Sequence, residues 1–369
     1  MIIVRRCFWL KTIAYYISDY GYGHATRSTA IIRELLKLNE TMKVIICHSF
    51  ALGFLQQSFK HEPRVMFREV ATDVGYVLQE NSLEPDAKRL NNTVSSYISE
   101  FSTKLNQEMC FMKEKNVSFV ISDISPLGIA GAAALNIPSL GLSNFTWYTA
   151  YKGLIEEQLL SFLHEQYKQM TYHFSLACSN EPRWGIEENQ RFGFYSRKIN
   201  DYEVQRIRKK IDPEGNSHVI YFGLGMKVDI GTLSELAIWQ SPNCKFIVSS
   251  NVNVNHPNVY HIPTNAVETQ YYVAAADLVL TKAGWGTVSE AVCAGVPLLI
   301  TNRSSMKEDR HTIDYLVRHQ LCDIIEWKEL ESLVITPSLI ESCRRQNINR
   351  YKNEAINIAK EINEKIKSK

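Results

Sequence analysis

The chain has 369 residues, of which 45% are hydrophobic and 22% are charged, and its 41 basic and 39 acidic residues leave a net charge of +2. This length exceeds what one hydrophobic core usually holds and predicts two domains, while the near-neutral charge is not that of a nucleic-acid-binding protein. The eight cysteines form no CxxC pair and no cysteine–histidine cluster, so we expect reduced thiols and a cytoplasmic location.

The beginning of the chain has only a superficial likeness to a signal peptide. Arg5, Arg6 and Lys11 interrupt its apolar run, and no small-residue cleavage site follows. Elsewhere no apolar run approaches the roughly 18–20 residues that a membrane span requires. We expect no membrane anchor, and the arginine- and tryptophan-containing amino terminus leaves contact with a membrane surface open but not indicated.

Strand and helix patterns alternate through the first half of the chain. Apolar, β-branched segments predict strands at residues 12–18, 44–48, 65–70, 118–122 and 139–143. Amphipathic or small-residue segments predict helices at residues 26–38, 51–59, 100–115, 126–135 and 151–174. This alternation is typical of a parallel, doubly wound sheet, which binds ligands at the carboxyl ends of its strands.

Residues 178–200 are the best candidate for a linker, because proline, glycine and polar residues interrupt any periodicity there. The alternation then restarts, with strands predicted at residues 218–222, 245–249, 259–262, 278–281 and 297–301. We predict two Rossmann-like α/β domains facing a cleft, over residues 1–196 and 197–345. A charged helix over residues 346–369 either packs back on the first domain or trails from the second.

Each half carries a glycine loop after its first strand, Gly21-Tyr22-Gly23-His24 and Gly223-Leu224-Gly225. Neither loop is a dinucleotide fingerprint, since the first lacks the third glycine and no acidic residue ends the second strand. No GxxxxGK[ST] motif occurs in the chain, which argues against a P-loop kinase.

A second kind of glycine loop occurs at residues 278–290, LVLTKAGWGTVSE, where a strand, a loop and a helix start follow one another. This arrangement presents backbone N–H groups and the positive end of a helix dipole to an anion. Lys282 adds a cation and Thr287 a hydroxyl donor. An ordinary strand-to-helix turn, capped by Thr287 or Ser289, explains the same residues.

His24 and Asp123 are the candidates for acid–base chemistry. His24 lies in a glycine-bordered turn near a predicted helix start, where the helix dipole lowers the pKa of an imidazole and favours its neutral form. Asp123 ends a predicted strand at the same edge of the sheet, where it could orient the imidazole of a general base. A histidine that caps its own helix and an aspartate that caps a loop are the alternatives.

With these motifs the chain resembles the GT-B glycosyltransferases of the UDP-glycosyltransferase superfamily, over residues 12–345. In the plant members a histidine follows the first strand and an aspartate ends a later strand about a hundred residues on; here His24 and Asp123 are 99 positions apart. Their donor signature H-C-G-W-N-S-x-x-E is similar to K-A-G-W-G-T-V-S-E, which begins at Lys282. The same loop resembles that of the monogalactosyldiacylglycerol- and lipid-II-type transferases. GYGHATRS together with SNFTW resembles the glycosyltransferase-like half of arabinokinases.

The resemblance implies a GT-B fold with an acceptor-binding first domain and a nucleotide-sugar-binding second domain. The residues that it implies at the donor are Gly21, Gly23, Gly223, Gly225, Lys282, Gly284, Trp285, Gly286, Thr287, Glu290, Glu308 and Asp309. Among them, Glu290 would hold the ribose hydroxyls, and Glu308 and Asp309 the sugar. The glutamine that usually follows the acidic residue is absent, and a solvated charged turn from Lys307 to Arg310 is the alternative.

The implied activity is inverting transfer of a sugar from a nucleoside-diphosphate sugar, most commonly a UDP-sugar, to a hydroxyl of a small-molecule or lipid-linked acceptor. His24 would act as general base, assisted by Asp123. We expect no cofactor and no metal, since no DxD-type pair is placed for one. A nucleotide-sugar hydrolase of the same fold and a catalytically inactive nucleotide-sugar-binding module are the alternatives. Aromatic residues between positions 71 and 175 either line an acceptor site or pack in the core.

Overall fold

The structure of the protein is a computed structural model that describes residues 11–80, 82, 84–224, 233–302, 306–346 and 351–368. It contains two α/β domains, each built on a parallel sheet. Of the predicted site residues, Gly225 lies outside the described residues. None of the helices in the described part of the chain is long and apolar enough to cross a membrane.

The first domain is organised on a parallel sheet. Its strands are β1 (Thr12–Ile17), β2 (Lys43–His48), β3 (Val65–Glu69), β4 (Val117–Asp123), β5 (Ser139–Ser143), β6 (Tyr172–Ser175) and β7 (Glu188–Arg191). Its helices are α1 (Tyr22–Leu38), α2 (Leu52–Ser58), α3 (Ala87–Glu114), α4 (Pro126–Ala134), α5 (Trp147–Ala150) and α6 (Glu157–Tyr167). The described strands are ordered β3-β2-β1-β4-β5-β6-β7. The order reverses between β1 and β4, which is where such sheets open a crevice for a ligand.

The second domain repeats this plan. Its helices are α7 (Asp201–Ile211), α8 (Gln270–Ala274), α9 (Trp285–Ala294), α10 (Lys307–Arg318), α11 (Trp327–Leu330) and α12 (Pro337–Gln346). Its strands are β8 (His218–Gly223), β9 (Cys244–Val248), β10 (Val259–His261), β11 (Leu278–Lys282), β12 (Leu298–Asn302) and β13 (Cys322–Glu326). The described strands are ordered β10-β9-β8-β11-β12-β13, so the reversal falls between β8 and β11.

The central strands are apolar on both faces because helices cover both faces of each sheet. β1, with the sequence TIAYYI, is buried along its whole length. One apolar cluster contains Ile13 of β1, Leu35 of α1 and Val288 of α9, so the core continues from one domain into the other.

The last described helix, α13 (Ala355–Lys367), packs against α1. Its buried face carries Ile358, Ile362 and Ile366, which join the same apolar cluster as the first domain. Lys365 forms an ion pair with Glu188 of β7. The chain therefore returns to the first domain at its end.

Three strands differ from the sequence-based prediction. The predicted helix over residues 151–174 contains α6 followed by β6, the predicted linker over 178–200 contains β7, and β13 lies where no strand was expected. β7 and β13 are edge strands, paired on one side only. Their ladders therefore form in the context of the sheet without requiring the apolar pattern of a central strand, and β7 reads ENQR.

Candidate active site

His24 and Asp123 lie at the carboxyl ends of neighbouring strands. β1 pairs with β4, His24 falls in the first turn of the helix that follows β1, and Asp123 is the last residue of β4. Nδ1 of His24 lies 3.0 Å from Oδ1 of Asp123. Both side chains are buried, with exposures of 6% and 1%. The helix begins earlier than predicted, at Tyr22, and no side chain caps it, so His24 is not its cap.

Arg27 completes this cluster, and the sequence-based prediction did not include it. Its Nε donates to Oδ2 of Asp123 at 2.7 Å, and its Nη2 donates to Oδ1 of the same carboxylate. Its Nη1 donates to Oδ1 of Asn144 at 2.7 Å, just beyond β5. Arg27 stands three positions after His24 on a helix, so the two share a face. That spacing was the signal available in the sequence.

The carboxylate of Asp123 is saturated with donors. Oδ1 faces His24 and Arg27, while Oδ2 accepts from Nε of Arg27 and, at 3.2 Å, from Oγ of Ser28. A carboxylate oxygen only accepts hydrogen bonds, so the contact between Oδ1 of Asp123 and Nδ1 of His24 is a hydrogen bond when Nδ1 carries the hydrogen. Nη2 of Arg27, 2.9 Å from the same nitrogen, is then a neighbouring donor and not a hydrogen-bond partner of His24. Nε2 of His24 is then the proton-accepting nitrogen.

Burial and charge set the ionisation of this pair. Burial alone would raise the pKa of the Asp123 carboxyl, but Arg27 and His24 hold that pKa well below its usual range. Burial lowers the pKa of His24, and the charge of Arg27 lowers it further against the opposing effect of Asp123. The pair is therefore a neutral imidazole beside an ionised carboxylate near neutral pH, which is the state that a general base requires.

The loop at residues 282–287 forms the amino end of α9. Lys282 ends β11, Gly284 is the N-cap residue, and the helix starts at Trp285 with no side chain capping it. The alternative with Thr287 or Ser289 as the N-cap is therefore wrong. The first N–H groups of an α-helix have no acceptor within the helix, so this end is suited to an anion.

The indole of Trp285 points into the junction between the domains. It is 5% exposed, and its N–H donates to the carbonyl of Ala177 at 2.9 Å. The ring of Tyr195 packs on it with centroids 5.2 Å apart. The side chain of Trp285 is committed to packing, so we expect Trp285 to contact a ligand through its backbone N–H group.

The two glycine turns meet directly. A Cβ at Gly286 would lie 3.3 Å from Cα of Gly23, so the first turn of α9 approaches the first turn of α1 closely. Gly21 has φ of +80°, a conformation that favours glycine. Gly223 ends β8, and its carbonyl accepts from Oγ1 of Thr281 at 2.5 Å. The structure therefore brings Gly23 and Gly286 together across the domains and places Gly223 at the carboxyl end of β8.

Glu290 lies one turn further along α9 and is paired with Arg197. Nη2 of Arg197 donates to Oε1 of Glu290 at 2.8 Å and to Oγ1 of Thr269 at 2.9 Å, and Nη1 donates to the carbonyl of Val267. Arg197 comes from the segment between the domains and is 1% exposed. The sequence-based prediction missed this arginine because no spacing links it to Glu290.

Glu308 and Asp309 lie in the first turn of α10, which packs against the first domain. The hydroxyl of Tyr76 donates to Oε2 of Glu308 at 2.5 Å and contacts the carbonyl of Ala150 at 3.1 Å. Asp309 is 2% exposed. The alternative of a solvated charged turn is therefore wrong, and the contact of these residues with a sugar stays a prediction.

Aromatic residues of the first domain pack beside His24. Phe145 meets the His24 ring at 5.9 Å and the Trp147 ring at 5.4 Å, edge to face in both cases. The indole N–H of Trp147 donates to Oδ2 of the buried Asp73 at 2.9 Å. Burial and the neighbouring Asp19 raise the pKa of Asp73 to about 7. This buried carboxyl had no signal in the sequence, because it lies in an irregular segment after β3.

Comparison with known proteins adds a family domain. Residues 244–366 match the model of the glycosyltransferase family 28 C-terminal domain. The L-arabinokinase of Arabidopsis thaliana is 25% identical over 305 residues, which cover 80% of this chain and 28% of that protein. The chain thus spans about a quarter of the length of the curated relative that it matches.

Solved structures are similar over nearly the whole chain. The calicheamicin glycosyltransferase CalG4 is 15% identical with a TM-score of 0.62, covering 97% of this chain and 98% of that one. UGT2 of Phytolacca americana, complexed with UDP-2fluoro-glucose and pterostilbene, is 13% identical with a TM-score of 0.62, covering 97% and 100%. SsfS6 of Streptomyces sp. SF2575, complexed with thymidine diphosphate, is 12% identical with a TM-score of 0.56, covering 97% and 96%. The chain therefore has the GT-B fold, and the resemblance drawn from the sequence is confirmed.

Proposed function

We propose that the protein is an inverting, metal-independent glycosyltransferase that moves a sugar from a nucleoside-diphosphate sugar to an acceptor hydroxyl. The observation that carries this proposal is the meeting of two helix ends. The turn with His24 and the amino end of α9 are in contact at Gly23 and Gly286. A proton acceptor and an anion site are thereby neighbours. The family 28 domain over residues 244–366 agrees with this activity.

In the proposed reaction, Nε2 of His24 accepts the proton of the acceptor hydroxyl while its oxygen attacks the anomeric carbon. The ionised Asp123 stabilises the imidazolium that forms. The bond between the anomeric carbon and the diphosphate oxygen breaks, and the departing diphosphate accepts hydrogen bonds at the amino end of α9, beside Lys282. Attack on the face opposite the leaving group inverts the anomeric centre.

A UDP-sugar is the donor that we propose, with its ribose hydroxyls on Glu290. Oε1 of Glu290 is committed to Arg197, and its carboxylate is partly exposed. Support for uridine comes from the superfamily resemblance and from the UDP-sugar in the Phytolacca americana structure, whereas the thymidine diphosphate in SsfS6 makes dTDP-sugars the nearest competitor. The described cysteines are all free thiols, which supports the proposed cytoplasmic location.

A donor panel tests the proposal. UDP- and dTDP-sugars are first screened by thermal shift, where a bound donor should raise the melting temperature by mass action. Binding donors are then incubated with and without a mixture of small hydroxyl compounds, and products are read by mass spectrometry. We expect glycosylated product that requires the acceptor and is lost in His24→Gln. Free sugar released equally without acceptor would identify a hydrolase instead, and tight binding with no turnover would identify an inactive module.

A further inference from the structure

Among the described residues, Arg27 is the permanently charged cation in contact with both His24 and Asp123. Its side chain is 4% exposed, and a buried guanidinium is costly unless a counter-charge and hydrogen bonds compensate it. Asp123 supplies the charge, and Asn144 accepts from the remaining edge of the guanidinium. Because burial of this group is costly, we infer that its charge or its hydrogen-bond geometry contributes to the site in a way that a neutral residue would not.

The forked contact fixes the plane of the Asp123 carboxylate. Nε and Nη2 of Arg27 engage its two oxygens separately, which only a planar guanidinium can do from one side. Nη2 also lies 2.9 Å from Nδ1 of His24. A displacement of Arg27 would therefore change both the carboxylate that orients the imidazole and the charge beside it.

Arg27 also contacts Trp285, which follows the loop at residues 282–284, here called the donor loop because of its proposed function. Its guanidinium carbon lies 5.2 Å from the ring centroid of Trp285, the first residue of α9. The indole is itself held by its hydrogen bond to Ala177. Cation–π contacts in desolvated sites are among the stronger ones, so the position of Trp285 and that of Arg27 depend on each other.

We propose that Arg27 is a positioning residue that couples the seating of the donor loop, through Trp285, to the orientation of the His24–Asp123 pair. This proposal rests on the proposed function, but its test does not require that the protein convert a substrate. When the donor loop is displaced, Arg27 loses its contact with Trp285. The His24–Asp123 pair then loses the geometry in which Nε2 of His24 can accept a proton.

The charged groups that face His24 determine the direction in which its pKa shifts when Arg27 is removed or displaced. Arg27 faces it from α1, Asp123 from the end of β4 and His48 from the end of β2. Arg27 and His48 disfavour the imidazolium, and Asp123 favours it. Removing or displacing Arg27 therefore raises the pKa of His24. A lysine at the same position retains the positive charge and should keep that pKa low.

The test is an NMR titration of histidine-labelled full-length protein, with the His24 signal identified by its loss in His24→Gln. In Arg27→Gln we expect the midpoint of His24 to rise by about 0.5–1 pH unit, and in Arg27→Lys to return toward that of the unmodified protein. Arg33→Gln is the matched control. Arg33 is on the same helix and also reaches the second domain, through Glu268, with Nη2 2.6 Å from Oε1.

The coupling to the loop is tested at Trp285 in the ligand-free protein. Trp285→Leu should move the midpoint of His24 in the direction of Arg27→Gln, while Trp285→Phe, which keeps an aromatic face, should not. An unchanged midpoint in Arg27→Gln, an equal shift in Arg33→Gln, or the same midpoint in both Trp285 variants would overturn the proposal. If Arg27→Gln does not fold, Arg27→Lys and the two Trp285 variants decide the matter. Lack of turnover across all donors would refute the proposed function and leave this titration intact.

Discussion

Two histidine–aspartate pairs lie at the carboxyl edge of the same sheet, His24 with Asp123 and His48 with Asp19. In both pairs Nδ1 lies 3.0 Å from a carboxylate oxygen, and in both burial lowers the pKa of the histidine. The pairs differ in what the second ring nitrogen does. Nε2 of His48 accepts from the backbone N–H of Ala51 at 2.8 Å, so both nitrogens of that ring are committed.

The two carboxylates differ in the donors that they accept from. Asp19 accepts from the N–H groups of Ser49, Phe50 and Thr72 at 2.8, 3.1 and 2.9 Å and thereby joins the loops that follow β2 and β3. Asp123, besides its imidazole partner, accepts from the guanidinium of Arg27 instead of from backbone N–H groups. A histidine–aspartate distance therefore does not identify a base; the unused nitrogen and the kind of donor on the carboxylate do.

The largest effect should come from His24→Gln. Loss of a positioned base costs about 10²- to 10⁴-fold in turnover, while binding of UDP should stay close to that of the unmodified protein because the change leaves α9 in place. Steady-state kinetics and calorimetric titration with UDP measure the two quantities. Turnover that persists within tenfold would remove His24 from the role of base.

Asp123→Asn should follow, with turnover lower by about 10²-fold because the amide cannot stabilise an imidazolium. It also leaves the buried Arg27 without its counter-charge, so the free energy of unfolding should fall by about 3–5 kcal/mol. Denaturant titration measures the second effect. The matched control is Asp19→Asn, which should lower stability while most of the turnover is retained. Equal turnover in the two variants would contradict the distinction between the pairs.

The acidic limb of the pH dependence should report the ionisation of His24. Because burial and Arg27 lower its pKa beneath the ordinary value of about 6.5, the active neutral form persists to mildly acidic pH. We expect kcat/KM to stay level above that value and to fall as the pH drops through the lowered pKa. The pH profile of kcat/KM for the acceptor, measured at saturating donor and at acceptor concentrations well below KM, tests this. An acidic limb at or above pH 7 would contradict the lowered pKa of His24.

The smallest effect on turnover should come from His48→Gln, which we expect to leave it within about threefold. The change disturbs the hydrogen bonds of the turn after β2, so the free energy of unfolding should fall by about 1–3 kcal/mol. Thermal unfolding and the assay used for His24→Gln give both values. A collapse of turnover in a folded His48→Gln protein would make the second pair part of the reaction.

Local patterns predicted much of the fold. The apolar runs of β1, β4 and β11 and the glycine turns after β1 and before α9 are visible because backbone conformation and burial on both faces restrict the residues at those positions. Edge strands were less visible. β7 is polar and only partly buried, so it forms through pairing with β6 and not through its own sequence.

The candidate site divides in a similar way. His24 and Asp123 were predicted from their positions at strand ends, and the structure brings them together across 99 residues. Arg27 was missed although it is on the same helix face, because a helical arginine is usually solvated. The pairing of Glu290 with Arg197 spans 93 residues, and no spacing rule encodes it.

The sequence by itself determined the alternation of strands and helices, the glycine turns and the residue types at the strand ends, since these act through the backbone within a few positions. Only the tertiary structure decided which partners those residues meet. It buried the indole of Trp285 at the domain junction, placed Arg27 between that indole and Asp123, and engaged Nε2 of His48 in the turn after β2. The physical reason is that such contacts depend on the order of strands in the sheets and on the packing of one domain against the other, which join residues far apart in the chain.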